Sequence, residues 1–313
     1  MLSYFVAIMA VSASMTACIY IGAYIRGLRQ LMVEHQIFYF FIIFAQTSYR
    51  FYHLKHFNKL IDNMKNHSTN KSLILGQTET YNCETQRIWA WHKVTDTIEG
   101  VELRLSNMAG GFPFEAAGHN WATSEQLYLE GEFTDSAIQQ EIASAKSGYA
   151  AKRFIKAKYK KAVRDDFANF RLQWMLWCVW QKCIGNQAFR QLLISIPDDV
   201  ILVEDTTTDN GGTAQIWGCK NPAQREAQAL AREAYTAKLA GPIKSKKKLE
   251  IEVDRKVLED TFRIGTYTGQ NNIGKMLMIC RECLINSTEP PIDYELLNSA
   301  HITIFGKVLN FPK

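Results

Sequence analysis

The sequence predicts a mainly α domain with a few short strands, preceded by an apolar amino-terminal segment and a polar linker. Three observations carry this. Phe167 to Cys183 is apolar nearly all round, the mark of a buried helix. Asn221 to Phe262 is rich in Ala, Glu, Lys and Arg, most of them strong helix formers. Ile273 to Leu284 reads as an amphipathic helix, and Pro290 and Pro291 end it.

In chain order, Met1 to Ile25 contains no charged residue, and Arg26 and Arg29 follow. Such a stretch is long enough to span a bilayer, because a helix needs about 20 residues to do so. Residues 1–57 therefore read either as a membrane anchor or as an extension outside the functional domain. If the stretch spans, the arginines after it place the rest of the chain inside the cell. Residues 58–85 turn polar and read as a linker. Residues 86–313 form a single domain.

Within it, Glu115 to Asn120 reads as a turn, and Thr123 or Ser124 caps a helix that runs toward Glu132. Asp135 to Lys161 reads as one or two helices with a break near Ser147 and Gly148. Phe189 to Ile194 continues helical and stops before Pro197. Val200 to Glu204 is a short strand, and Thr206 to Gly212 a loop. Residues 221–262 read as an exposed helical insertion carrying the run Lys244, Lys246, Lys247 and Lys248. Glu250, Glu252 and Asp254 follow at once, which favours a solvated face over a nucleic-acid or lipid contact.

Composition sets outer bounds. With 313 residues, 47% apolar and 21% charged, the chain is globular. Its net charge of +5 suits an anionic substrate without requiring one. Seven cysteines form no even framework and read as reduced thiols in the cytoplasm. Cys280 and Cys283 form a C-x-x-C on a helix without a second pair at zinc spacing, so they read as inert. Histidines are few, and neither a metal nor another cofactor is expected. There is no P-loop and no G-x-S-x-G elbow.

Carboxylates beside apolar residues are the better candidates for chemistry. Glu125 lies near the start of a helix in WATSEQLYLEGEF, Glu204 ends the strand-like ILVE, and Asp209 follows in a polar loop that Trp217 and Gly218 close. A carboxyl in a partly apolar setting holds a proton, or activates water, near neutral pH. Breaking a bond to an anomeric carbon needs both tasks. The plainer reading has these carboxylates capping helices or pairing with Arg164 and Arg281.

Six segments occur in one order: Leu105-Ser106-Asn107-Met108, Trp121 to Glu125, Ile201 to Glu204, Trp217-Gly218, Gly269 to Gly274, and Leu277-Met278 with Arg281. This ordered set resembles the NADAR family, also called YbiA-like, from about Ile88 to Leu284. The resemblance implies a compact, mostly helical domain and cleavage of an N-glycosidic bond. One family activity removes ADP-ribose from modified nucleic acid, notably guanine in DNA, and so neutralises a partner ADP-ribosyltransferase toxin. Another hydrolyses phosphorylated intermediates of riboflavin synthesis. The stretch LSNMAGGFPF resembles the toxin-associated members more closely. A fold that has lost catalysis and only binds nucleotides is the reading from a different class.

Carried over by motif, Glu125 and Glu204 are the catalytic carboxylates, and Asp209 or Asp205 is the loop acid. Trp217 and Gly218 close the pocket. Gly269, Asn271 and Gly274 shape a turn at the start of a helix, where phosphate is favoured. Arg281 would pair with a phosphate or with Glu204. Two positions depart from the family pattern: Gln126 stands where histidine is common, and Glu132 where a basic residue is usual.

Overall fold

The computed structural model describes residues 73–92, 97–98 and 101–312. The apolar segment, its anchor reading and the contact with a membrane read for residues 1–25 lie outside them. No helix among the described residues is long and apolar enough to cross a membrane. About half of the described residues are helical, joined by several short strands.

The strands are β1 (Glu79–Asn82), β2 (Ile88–Trp91), β3 (Thr97–Ile98), β4 (Val101–Glu102), β5 (Phe114–Ala116), β6 (His119–Trp121), β7 (Ile201–Glu204), β8 (Cys219–Lys220), β9 (Thr266–Gly269), β10 (Thr303–Ile304) and β11 (Lys307–Val308). The helices are α1 (Ser124–Glu130), α2 (Ser136–Ala143), α3 (Gly148–Ala150), α4 (Phe167–Gly185), α5 (Gln187–Ser195), α6 (Ala214–Trp217), α7 (Pro222–Leu239), α8 (Lys246–Thr261), α9 (Asn272–Asn286) and α10 (Tyr294–Ser299). From α3 the chain passes straight into a π-helical segment, Ala151–Lys156, a geometry that often marks a functional position.

The core is built on α4. Phe170, Trp174, Trp177, Val179 and Cys183 are buried along it, together with Met276, Leu277 and Cys280 of α9. Trp174 stacks on Trp177 and donates its Nε1–H to the carbonyl of Tyr128, tying α4 to α1. This all-round apolar helix occupies the centre that its composition demands.

Two small sheets flank the core. β2 and β7 pair in parallel, Trp91 opposite Glu204. β9 lies between β1 and β8, antiparallel to both. The stretch expected as linker thus enters the fold. β1 pairs with Thr266–Gly269, and Lys275 Nζ donates to the carbonyls of Ile74 and Gln77. The same ammonium lies 3.2 Å from Glu79 Oε1. The compact unit begins at Leu73, thirteen positions before the expected boundary at 86. Strand content also exceeds the expectation, because the strands are two to four residues long and too short to show alternation. Residues 221–262 form the helix pair α7–α8, inserted between β8 and its hydrogen-bonded neighbour β9.

Candidate functional site

The site is assembled around α1. Thr123 has extended backbone, and its Oγ1 accepts from the Gln126 N–H at 3.3 Å, which starts the helix. The Glu125 N–H donates to the carbonyl of Asn107, and the Ser124 hydroxyl meets Asn107 Oδ1 at 3.2 Å. The Leu105–Met108 segment therefore fixes the first turn. Glu125 is buried in that turn with 3% of its surface exposed. Its Oε1 lies 3.1 Å from Lys152 Nζ, a half-exposed side chain of the π-helical segment. The Glu125 carboxylate, joined by Glu204 and Glu132, holds the Lys152 ammonium above the ordinary lysine range against the opposing effect of burial.

Glu204 ends β7. It retains some solvent contact, yet its carboxyl is surrounded by protein, and this burial pushes it up to about 7. Lys152 and His92 pull it down, while Glu125 and Asp209 push it further up. Glu125, Lys152, Glu204 and Asp209 thus share one electrostatic neighbourhood. His92 donates Nδ1–H to the carbonyl of Asp205, which leaves Nε2 facing the Thr208 hydroxyl at 3.3 Å. Trp217, half-buried, meets Tyr128 edge-on with ring centroids 5.5 Å apart, one helical turn from Glu125. Glu125, Glu204, Asp209 and Trp217 are therefore brought to one region. Asp209 is exposed at the edge of this region.

The remaining expected site residues hold the frame. Asn271 is fully buried in left-handed backbone, φ 49°. Its Oδ1 accepts from the Glu204 N–H at 3.2 Å, and its Nδ2 donates to the carbonyl of Leu202 at 2.8 Å. It positions Glu204 and has neither end of its amide free for a ligand. Gly274 is packed against β7: a Cβ there would lie 2.2 Å from the Leu202 carbonyl. Gly218 is pressed against the carbonyl of Glu204 in the same way, and Gly269 against that of Gly218. These glycines let backbones cross closely under the carboxylates. Arg281 is corrected outright. Its guanidinium donates to the carbonyls of Pro197, Asp198 and Val200, away from Glu204, and so holds the turn entering β7.

Gln126 and Glu132 each have a local role. Gln126 Nε2 donates to the carbonyls of Ile142, Ala143 and Ala145, closing the end of α2. Glu132 is buried and lies 2.7 Å from Lys156 Nζ. Burial pushes its carboxyl up and the Lys156 ammonium draws part of that back. Asp205 accepts from the Thr207 N–H and hydroxyl, so it shapes the turn after β7.

Lys152 belongs to none of the sequence motifs that point to the site. The signal in the sequence is spacing: Lys152 and Lys156, four apart, meet Glu125 in the first turn of α1 and Glu132 just past its end. Tyr128 was missed because an aromatic residue in a buried helix normally reads as core. Among the described residues no group of three His, Cys, Asp or Glu is placed to hold a metal ion.

No family model matches the chain, and no curated protein does so. Among solved structures it is similar to the NMR structure of the Escherichia coli protein YbiA. The identity is 21% over 66% of this chain and 93% of that one, with a TM-score of 0.40. At this level the likeness concerns the backbone alone, and the chemistry has to be argued from the side chains.

Proposed function

We propose that this chain hydrolyses an N-glycosidic bond, removing ADP-ribose from modified nucleic acid such as ADP-ribosylated guanine in DNA, as an antitoxin to an ADP-ribosyltransferase would. One observation carries the reading: a carboxyl pushed up to about 7, Glu204, stands beside a buried carboxylate, Glu125, that is held by a lysine. Two carboxyl groups in different settings, one paired with a lysine and one pushed up by burial, divide the work that glycoside hydrolysis requires. Glu204 gives its proton to the departing base nitrogen as the bond to C1′ breaks. Glu125, its charge steadied by Lys152, supports the positive sugar carbon and takes a proton from the water that adds to it. The products are the nucleic acid with its base restored, the nitrogen bearing the new N–H, and ADP-ribose bearing the new hydroxyl at the anomeric carbon.

A large substrate is favoured by a cleft that lies close to these groups but is not lined by Glu125, Lys152, Glu204, Asp209 or Trp217. The cleft, of about 910 Å³, runs from His92, Asp205 and Thr207 to Arg225 and Arg263. His92 in its wall is the histidine that acts on Glu204. Incubation with ADP-ribosylated DNA and, separately, with phosphorylated riboflavin-pathway intermediates tests the reading. Release of ADP-ribose from DNA, lowered about 10²–10⁴-fold in Glu125→Gln, is expected. Release from the small molecules alone would assign the other substrate class. Turnover by Glu125→Gln at the unmodified rate would refute the carboxylate assignment.

A further inference from the structure

The helix pair α7–α8 carries a charge pattern that the chemistry above does not use. Lys238, Lys244, Lys246, Lys247 and Lys248 are all exposed at its turn end. No acidic residue occurs from Ala234 to Leu249, and none of the five lysines has an acid partner among the described residues. The rest of the pair behaves otherwise. Arg232 pairs with Asp254, and Arg255 with Glu252 and Glu259. Along the middle of the pair the cations are matched by acids, whereas the turn carries five lysines with no acid partner among the described residues.

Helix stability does not account for it. Lys246, Lys247 and Lys248 open α8, where the helix dipole disfavours cations and acidic residues would be stabilising. A sequence that breaks a local rule in this way marks a function. The opposite end of the pair sits on the site. α7 leaves β8 just after Gly218, and α8 returns to β9 just before Gly269 and Asn271. There Arg225 and Arg263 line the cleft that reaches His92 and Asp205. An 18-residue helix separates the two ends by about 27 Å. At about 3.4 Å per nucleotide step that is roughly eight phosphates.

We infer that the lysine-rich turn of the α7–α8 pair, continued by Arg225 and Arg263, is a surface for a nucleic-acid backbone that holds the strand while a modified base occupies the site. The partner's identity as the substrate rests on the proposed activity; the binding itself does not. The chemistry is phosphate neutralisation without base reading, because the turn offers ammonium groups and no amide side chain or aromatic ring. A lipid partner is the less favoured occupant, because residues 238–248 hold no aromatic residue to enter the interface, and the vesicle arm of the test separates the two.

The test uses the full chain, an unmodified fluorescein-labelled 20-mer as single strand and as duplex, and vesicles of phosphatidylserine and phosphatidylcholine. The variant carries Lys244→Gln, Lys246→Gln, Lys247→Gln and Lys248→Gln, all at exposed positions. Expected are binding at least about tenfold weaker at 100 mM salt and a log–log salt slope shallower by about three to four. Equal binding by the variant would overturn the inference. So would binding of vesicles and not of the 20-mer. DNA binding that depends on the lysines, in a chain that releases no ADP-ribose, would keep the surface and remove the activity.

Discussion

Lys152 Nζ stands 3.1 Å from Glu125 Oε1, and the same ammonium is the cation that draws down the proton affinity of Glu204. One lysine on a π-helical turn thereby joins a carboxylate from α1 to a carboxyl from β7. Neither sequence neighbourhood hints at the other.

The first prediction concerns pH. Glu204 is pushed up to about 7, so it is protonated below that value and ionised above it. If it gives the proton to the leaving base, kcat falls about tenfold per pH unit above roughly 7. Glu204→Gln should be slow and should lack this limb. A wild-type rate that instead rises through pH 7 would sink the acid role.

The second concerns Lys152. Lys152→Met removes the cation that lowers the Glu204 carboxyl and steadies Glu125. The alkaline limb should move to higher pH and turnover should fall, with partial recovery in Lys152→Arg. A purely structural lysine would change stability and leave the position of the limb in place. The pH profile of kcat separates the two.

The third concerns Gly274. A Cβ there meets the Leu202 carbonyl at 2.2 Å and the Asn271 amide at 2.5 Å. Backbone on one side leaves nowhere for it to go. Gly274→Ala should cost about 1–3 kcal/mol or more in urea unfolding and should also lower activity, because β7 carries Glu204. An unfolding midpoint equal to wild type would show that α9 and β7 do not press together as described.

The fourth concerns Lys182, which is fully buried on α4, with its Nζ 3.9 Å from the centroid of the Phe189 ring and no hydrogen-bond acceptor. Burial lowers its amine to about 7. The folded value lies below the unfolded one, so this group's contribution is full only above about 10.5 and is lost as pH falls toward 7. Lys182→Met should therefore stabilise the fold at pH 7, on the order of a few kcal/mol, with the gain shrinking as pH approaches 10.5. Urea midpoints for both proteins at pH 7 and pH 10 check the sign.

The parts of the fold that were legible in the sequence are those where one element declares itself. The run around Trp174 and Trp177 admits only a buried helix, Thr123 caps the helix it precedes, and the Ile201–Glu204 strand ends at its carboxylate. Contacts that join distant segments were not legible. β1 looks like linker because Tyr81 is its one buried side chain, and only pairing with Thr266–Gly269 makes it a strand. Asn271 and the glycines at 218, 269 and 274 were read as a ligand grip, since the residues that suit a phosphate turn also suit close backbone crossing. Arg281 was aimed at an anion, but its partners are three carbonyls whose arrangement depends on the turn at Pro197.

The two ends of the α7–α8 pair leave and rejoin the domain on strands that are hydrogen-bonded to each other. The excursion from residue 221 to residue 265 is therefore a closed detour. Closing a longer or shorter detour changes the entropy only logarithmically, about 0.6 kcal/mol for each doubling of length. The strand pairing fixes the separation of Gly218 and Gly269 whatever lies between them. The insertion is consequently separable from the strands that carry it: the detour can be exchanged, lengthened or recharged while Gly218 and Gly269 keep their spacing.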